Sequence, residues 1–255
     1  MSLWTWVTIF ILSCQYSALP PDNLSDSLLK RISGVYRRMC HAAMRAGRPP
    51  DSAALVAVTK YFPIDVVSAA VDLGLRVLGE SYVAEAAAKR EQIQQDNPLS
   101  TISWHMIGHL QRNKVKKAVS VFDCIHSIDS AALAGDVDSY AGRAGKTLDV
   151  LIQVKLSDED TKTGVAQVGV FELAGRIINN HKNLNLIGLM AMPPFFEDPE
   201  RCRPYFRRLR EIRDTLGSRG IPLRELSMGM SNDFEIAIEE GATMVRVGSE
   251  IFGER

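Results

Sequence analysis

The chain of 255 residues is long enough for one large domain, and lysine plus arginine balance aspartate plus glutamate at 30 each. This balance leaves neither the basic stripe that nucleic-acid binding requires nor an acidic tail. The four cysteines form no C-x-x-C pair and the five histidines no H-E-x-x-H motif, so the sequence predicts a reducing compartment and no structural metal.

Residues 1–22 form an apolar extension whose status the sequence leaves open. Residues 3–12 are mostly apolar, but this is shorter than the roughly twenty residues that cross a bilayer. A secretory signal would carry a cationic flank, whereas the first basic residue is Lys30. A weak signal peptide, a peripheral tail and a misassigned gene start are the three interpretations. We favour the last, and expect a cytoplasmic protein with no membrane partner.

From Asn23 onward the pattern becomes regular. Capping residues and helically spaced apolar residues predict a first helix that ends at the Gly-Arg-Pro-Pro sequence of residues 47–50. Strands then alternate with helices. Strands are predicted at 55–60, 76–80, 102–108, 124–128, 148–155, 184–192, 225–230 and 244–248. Helices are predicted at 64–73, 82–95, 112–119, 130–144, 168–180, 199–216 and 233–240.

Eight strands with no long linker or composition break predict one α/β domain over residues 23–255, a closed (β/α)8 TIM barrel preceded by an N-terminal helix. No full helix follows the eighth strand, and the first helix can cover that gap. A doubly wound open sheet is the alternative, but no G-x-G-x-x-G sequence follows the first strand.

Lys60 ends the aliphatic run of the first strand, and Pro63 prevents the strand from continuing. Barrel enzymes place their chemistry at the carboxyl ends of the strands. Poor solvation there lowers the pKa of an amine and favours its attack on aldehydes. The alternative is a structural lysine whose amine reaches water. Polar residues are expected at the same face after other strands: Glu80, Ser81, His105, His126, Lys155 and Ser227.

The eighth strand carries Arg246 between two valines. Alternation along a strand turns the valines toward the helices and Arg246 toward the barrel mouth. A guanidinium there needs an acceptor, which is either a ligand or a carboxylate, with Glu80 and Asp233 as the candidates.

The loops after the seventh and eighth strands are rich in glycine and serine. Met230 and Ser231 lie in the first loop, and Gly248 and Ser249 lie in the second. Glycine lets backbone N–H groups approach an anion, and these two loops are the usual phosphate site of a barrel. Either serine could instead cap a helix. An amine, an arginine and a phosphate site together suggest pyridoxal 5'-phosphate.

Seven sequence motifs resemble one family. They are A-V-T-K at 57–60, L-G-E-S-Y-V at 78–83, W-H-M-I-G-H-L-Q-R-N-K at 104–114, H-S-I-D-S at 126–130, G-L-M-A-M-P at 188–193, L-S-M-G-M-S at 226–231 and V-R-V-G-S-E-I-F-G at 245–253. Together they resemble the pyridoxal phosphate homeostasis proteins, from about residue 24 to the end. That family is similar in fold to the N-terminal barrel of alanine racemase, which implies a fold-type III pyridoxal phosphate barrel.

The resemblance implies a role for each matching residue. Lys60 is expected to form the Schiff base and Arg246 to face the pyridine nitrogen. Ser231, Gly248 and Ser249 are expected to hold the phosphate, with Met230 also among the cofactor-binding residues. Ser81 stands where the family usually has asparagine, so a side-chain contact at that position does not carry over.

Three functions are compatible with the sequence. The first is a binding protein that buffers pyridoxal phosphate or delivers it to apoenzymes, as a monomer or weak dimer, without turnover of its own. The second is an amino-acid racemase or lyase. The third is a barrel for another phosphorylated metabolite, with a structural Lys60. We expect the first, because alanine racemase needs a further domain to supply a tyrosine acid/base and this chain ends at Arg255.

Overall fold

The computed structural model describes residues 23–96, 101–157 and 163–254. The apolar extension at residues 1–22, with the three interpretations given for it, lies outside the described residues.

Eight parallel strands close into a barrel, as the sequence predicts. They are β1 (Ala54–Val58), β2 (Val77–Glu80), β3 (Ser103–Met106), β4 (Cys124–Ile128), β5 (Leu148–Lys155), β7 (Leu184–Met190), β8 (Glu225–Ser227) and β9 (Met244–Val247). The order β4-β3-β2-β1-β9-β8-β7-β5 is closed by pairing of β4 with β5. A two-residue strand that the sequence did not predict, β6 (Val165–Ala166), pairs with β5 outside the barrel.

Nine α-helices occur in the described ranges. They are α1 (Asn23–Arg45), α2 (Ile64–Asp72), α3 (Val83–Asp96), α4 (Val115–Val121), α5 (Ala131–Arg143), α6 (Val170–Asn180), α7 (Arg203–Ser218), α8 (Phe234–Glu239) and α9 (Ser249–Phe252). Short 3₁₀ turns precede α4, α6 and α7, so the first turn of each predicted helix is wound more tightly than an α-helix.

Helix α1 closes the gap left after the last strand, as predicted. It packs against α8, α9 and α2 through a buried face that includes Leu28, Ile32 and Val35. Arg38 adds hydrogen bonds from α1 to Glu235 and Glu250. The apolar spacing read from the sequence therefore places this helix where an eighth outer helix would otherwise stand.

Most of the apolar core lies between the barrel and its helices, whereas the barrel interior contains both apolar and polar side chains. The interior holds two small apolar clusters, centred on Val56 and Leu151. Buried polar residues accompany them, among them His105, His126 and Arg246. Within the described part of the chain, no helix combines the length and apolar character needed to cross a membrane.

Candidate functional site

Lys60 lies at the carboxyl end of β1, as predicted. The ladder continues one residue beyond β1, because the N–H of Thr59 donates to the carbonyl of Gly79 at 3.0 Å. Lys60 follows, half-buried, and Tyr61 then adopts a left-handed conformation with φ 68°. The N–H of Phe62 bonds back to the Thr59 carbonyl at 3.1 Å. The chain thus turns sharply just after the lysine and leaves it at the strand end.

Thr59 is fixed by the charged side chains of Glu80, Glu85 and Lys89, and we call these four residues the strand-1 clamp. The Thr59 hydroxyl donates to Glu80 Oε1 at 2.8 Å. Lys89 Nζ donates to the Thr59 carbonyl at 2.6 Å, to Glu80 Oε1 at 2.8 Å and to Glu85 Oε1 at 2.7 Å. Burial raises the pKa of the Glu80 carboxyl, opposed by its bonds from Lys89 and Thr59. The clamp therefore holds the backbone directly before Lys60.

The predicted phosphate loops meet beside β1. In the register of β1 and β9, Val56 lies opposite Arg246, which puts Gly248 near Val58. A Cβ on Gly248 would lie 3.2 Å from Val58 Cβ and 3.3 Å from its carbonyl oxygen. The N–H of Gly248 donates to Ser231 Oγ at 3.3 Å, which links the loops after β9 and β8. A side chain at this position would be tightly packed against β1, so glycine suits the close backbone approach.

Met230 and Ser249 take different positions around these loops. The Met230 N–H already donates to Asp233 Oδ1 at 2.6 Å, and its carbonyl accepts the N–H groups of Asp233 and Phe234. The backbone of Met230 is therefore bonded within its own loop, and its side chain is half-buried. Ser249 is exposed and begins α9 directly after Gly248.

Arg246 is buried inside the barrel, while Val245 and Val247 pack in the outer core, as alternation predicts. Nη1 donates to the Ser227 carbonyl at 2.8 Å and to the Ser227 hydroxyl at 2.6 Å, and Nη2 donates to the Ala191 carbonyl at 3.0 Å. Burial lowers the pKa of Arg246 to about 10, with Asp233 acting in the opposite direction. The guanidinium is thus charged at neutral pH.

The predicted ion-pair alternatives for Arg246 are wrong. Among the described residues no carboxylate lies within 4.0 Å of Arg246, since Glu80 pairs with Lys89 instead. Asp233 bonds to the Met230 N–H. Neutral oxygens alone satisfy the guanidinium, so its charge is not cancelled by a direct partner.

The sequence placed His105 and His126 at the barrel mouth, and this prediction is wrong. Both side chains are buried in the barrel interior, where they bond to each other. His105 Nδ1 lies 2.8 Å from His126 Nε2, His126 Nδ1 lies 2.9 Å from Ser227 Oγ, and His105 Nε2 lies 3.0 Å from Ser103 Oγ. These four residues and Arg246 form what we call the polar chain. Burial lowers the pKa of His105 to about 4 and lowers that of His126 well below its ordinary value.

Cys124 lies beside the two histidines. One ligand atom from each of His105, Cys124 and His126 lies within 4.8 Å of the others, an arrangement that no sequence spacing revealed. Burial raises the pKa of the Cys124 thiol, so it stays protonated unless a metal binds it. Imidazole and thiolate together are a donor set for soft metals.

Two further positions from the sequence analysis are now located. Ser81 is half-buried against Gly108, where a Cβ would lie 2.7 Å from Ser81 Cβ. Lys155 ends β5, which is four strands from β1 around the barrel. Lys60 and the two phosphate loops are therefore brought together, whereas Lys155 is not among them.

Comparison with known proteins gives concordant results. The profile of the family "Alanine racemase, N-terminal domain" matches residues 39–255. A pyridoxal phosphate homeostasis protein from Aquifex aeolicus is 42% identical over 227 residues, which are 89% of this chain and 97% of that protein. The protein of that name from Escherichia coli K12 is 35% identical over 230 residues, 90% of this chain and 97% of that protein.

Solved structures agree. PipY of Synechococcus elongatus, solved with PLP bound, is 34% identical with a TM-score of 0.76, covering 89% of this chain and 100% of that chain. Alanine racemase of Clostridium difficile is 14% identical with a TM-score of 0.70, covering 90% of this chain and 57% of that chain. The second likeness shows the shared barrel fold alone.

Proposed function

Because the chain belongs to the family of pyridoxal phosphate homeostasis proteins, built on the alanine racemase N-terminal domain, we propose that it binds pyridoxal 5'-phosphate at the barrel mouth. The observation that carries the proposal is the meeting of Lys60 with the Gly248–Ser231 contact on the neighbouring strands β1, β9 and β8. The cofactor supplies an aldehyde that reacts with a lysine amine.

In this proposal Lys60 forms the Schiff base and Arg246 faces the pyridine nitrogen. Ser231, Gly248 and Ser249 hold the phosphate with hydroxyl and backbone donors. Met230 contributes through its side chain, because its N–H is already bonded to Asp233. These roles are the ones that the family resemblance implies.

Three observations support the fit of pyridoxal phosphate. Arg246 is a buried donor to which the described residues offer no direct carboxylate partner, and a guanidinium suits a ring nitrogen that accepts a hydrogen bond. Gly248 leaves the space that a Cβ would fill beside Val58. Serine hydroxyls and backbone amides are suitable donors for phosphate oxygens.

We further propose that the protein buffers the cofactor or passes it to apoenzymes without turnover of its own. A ring nitrogen beside the charged Arg246 is disfavoured from taking a proton, and an unprotonated ring is a poorer electron sink. Alanine racemase is the competing function, favoured only by the shared fold. Racemisation of alanine at ordinary enzymatic rates, lost in Lys60→Ala, would support the racemase instead.

We also propose that the protein works in the cytoplasm as a monomer or weak dimer. Cys40, Cys124 and Cys202 are free thiols, which suits a reducing compartment. Cell fractionation and analytical ultracentrifugation test these two statements. A processed extracellular form or a tight higher oligomer contradicts them.

The binding site is tested by the visible absorption of purified protein mixed with pyridoxal phosphate. Wild type and Lys155→Ala are expected to show the Schiff-base band, whereas Lys60→Ala is expected to lose it while keeping its melting temperature. Gly248→Asp puts a carboxylate against the phosphate and is expected to weaken retention severely. Gly217→Asp, which enters open space on α7, is the matched control. Full retention by Gly248→Asp places the phosphate elsewhere.

A further inference from the structure

The polar chain runs from Arg246 through Ser227, His126 and His105 to Ser103. The first four are buried and Ser103 is half-buried. Four of these residues are ambiguous in hydrogen-bond direction, because serine and neutral histidine can each both donate and accept. Arginine is different, since it only donates. One end of the chain therefore has a fixed direction, and the remaining directions follow from it.

Ser227 Oγ accepts from Arg246 Nη1 at 2.6 Å. Its own proton then has one acceptor among the described residues, His126 Nδ1 at 2.9 Å. If the chain ran the other way, Ser227 would accept from both Arg246 and His126. Its buried hydroxyl proton would then have no acceptor in the described part of the protein, which is unfavourable.

The direction at Ser227 sets both imidazole tautomers. His126 Nδ1 accepts, so the proton of this neutral ring is on Nε2, from which it is donated to His105 Nδ1 at 2.8 Å. His105 Nδ1 accepts in turn, so its proton is on Nε2 and is donated to Ser103 Oγ at 3.0 Å. Burial keeps both rings neutral, which this pattern requires.

We infer that the polar chain is a one-directional series of donors in which Ser227 and His126 are positioning residues for Arg246. His126 Nδ1 accepts the hydrogen bond from the Ser227 hydroxyl, so the Ser227 oxygen presents a lone pair to the guanidinium. Nη1 is therefore held on Ser227 and Nη2 on Ala191. Three of the five guanidinium N–H groups are occupied in this way, which fixes the orientation of the guanidinium plane. The link to cofactor affinity rests on the proposed function.

The same side chains compete as a metal site with Cys124. A metal held by the two facing nitrogens, His105 Nδ1 and His126 Nε2, would need a lone pair on each of them. In the donor series one of these two nitrogens carries the proton that joins them. The donor series has a proton between His105 Nδ1 and His126 Nε2, whereas a metal site has none there, and this difference can be measured.

The first arm of the test uses the protein without cofactor, so it stands independently of the proposed function. Long-range ¹H–¹⁵N correlation of ¹⁵N-histidine protein at pH 7 reports which ring nitrogen is protonated. We expect Nε2–H for both His105 and His126, assigned through His105→Asn and His126→Asn. Protonation at Nδ1, or averaging over both tautomers, overturns the inference. So does loss of the shared proton on adding one equivalent of zinc.

The second arm compares two variants of equal shape. In His126→Asn the amide oxygen takes the place of Nδ1 and still accepts from Ser227, whereas His126→Leu offers no acceptor. Wild type, His126→Asn and the surface control His41→Gln are expected to bind pyridoxal phosphate within about threefold of one another. His126→Leu is expected to bind roughly tenfold more weakly, the loss of one neutral hydrogen bond.

The outcomes separate the two claims. If wild type does not bind the cofactor, the proposed function fails, and the tautomers still decide the direction of the chain. If wild type binds and the leucine and asparagine variants bind alike, the positioning role fails. Equal melting temperatures for the two variants are required, because the contrast then reports the acceptor rather than the fold.

Discussion

Two buried cations, Lys89 and Arg246, are held in opposite ways. In the strand-1 clamp, Lys89 bonds to two carboxylates, those of Glu80 and Glu85, so its charge is balanced by direct partners. In the polar chain, the partners of Arg246 among the described residues are neutral oxygens of Ser227 and Ala191. Lys89 fixes the backbone before Lys60, whereas we propose that Arg246 donates to a ligand.

This difference shows how a binding site is distinguished from a structural ion pair. A buried pair is internally satisfied and gains little from an added anion. A desolvated guanidinium with neutral partners can still donate to a ligand acceptor, which in the proposed complex is the pyridine nitrogen. The predictions below break one region or the other, beginning with the largest expected effect.

Removing the clamp cation should affect stability most. Lys89→Met leaves Glu80 buried without its ion-pair partner, which costs about 3–5 kcal/mol of unfolding free energy. Urea unfolding measures the change, with the exposed Lys116→Met as the control. The double variant with Glu80→Gln should recover part of the loss, because no buried charge remains. An unchanged midpoint for Lys89→Met would show that the clamp is not a stabilising unit.

The neutral histidines of the polar chain should make the free energy of unfolding fall in acid. The pKa of His105 is about 4 when folded, below its ordinary value of 6.5, so between these values the unfolded chain binds more protons. Stability therefore falls as the pH falls from 6.5 to about 4, by about 3 kcal/mol in all. The clamp opposes this trend, since the raised pKa of Glu80 makes protonation favour the folded state.

Unfolding at a series of pH values tests this contrast. His105→Gln should flatten the acid limb. Glu80→Gln should steepen the limb, because it removes the opposing titration. Parallel curves for wild type and His105→Gln would contradict the neutral state assigned to the chain.

Neutralising Arg246 should weaken cofactor binding, by less free energy than the two stability changes above. Arg246→Leu removes a charged donor worth about 1.5–3 kcal/mol, so the Kd for pyridoxal phosphate should rise roughly ten- to hundredfold. Arg246→Lys keeps the charge but loses the planar guanidinium, so its Kd should lie between those of wild type and Arg246→Leu. Equilibrium dialysis gives the three constants. If leucine and lysine variants bind as tightly as wild type, the charge of Arg246 is not used by the ligand.

The sequence predicts the architecture well because parallel barrel strands are buried on both faces. The runs at residues 55–60 and 148–155 are aliphatic for that reason, and their positions are confirmed. The predicted strand ends extend further than the observed ones, as in 225–230 against Glu225–Ser227. Loop residues after a strand continue its composition without its hydrogen bonds, which sequence does not distinguish.

The partners of buried charges could not be predicted. Lys89 reaches Thr59 across 30 positions of sequence, and on its own helix it resembles an ordinary surface lysine. His105 and His126 carry polar side chains near strand ends, which suggested the mouth, yet alternation also permits an inward orientation. Spacing identifies which residues share a strand, whereas closure of the barrel decides which side chains meet.

The identity of the reacting lysine tests the account most directly. Protein incubated with pyridoxal phosphate is reduced with borohydride, digested, and mapped by peptide mass. We predict the label on Lys60, and none on Lys89, whose charge is held by two carboxylates. Lys60→Ala should then carry no stoichiometric label. Labelling of Lys89 or Lys155 in the wild-type protein would contradict the assignment.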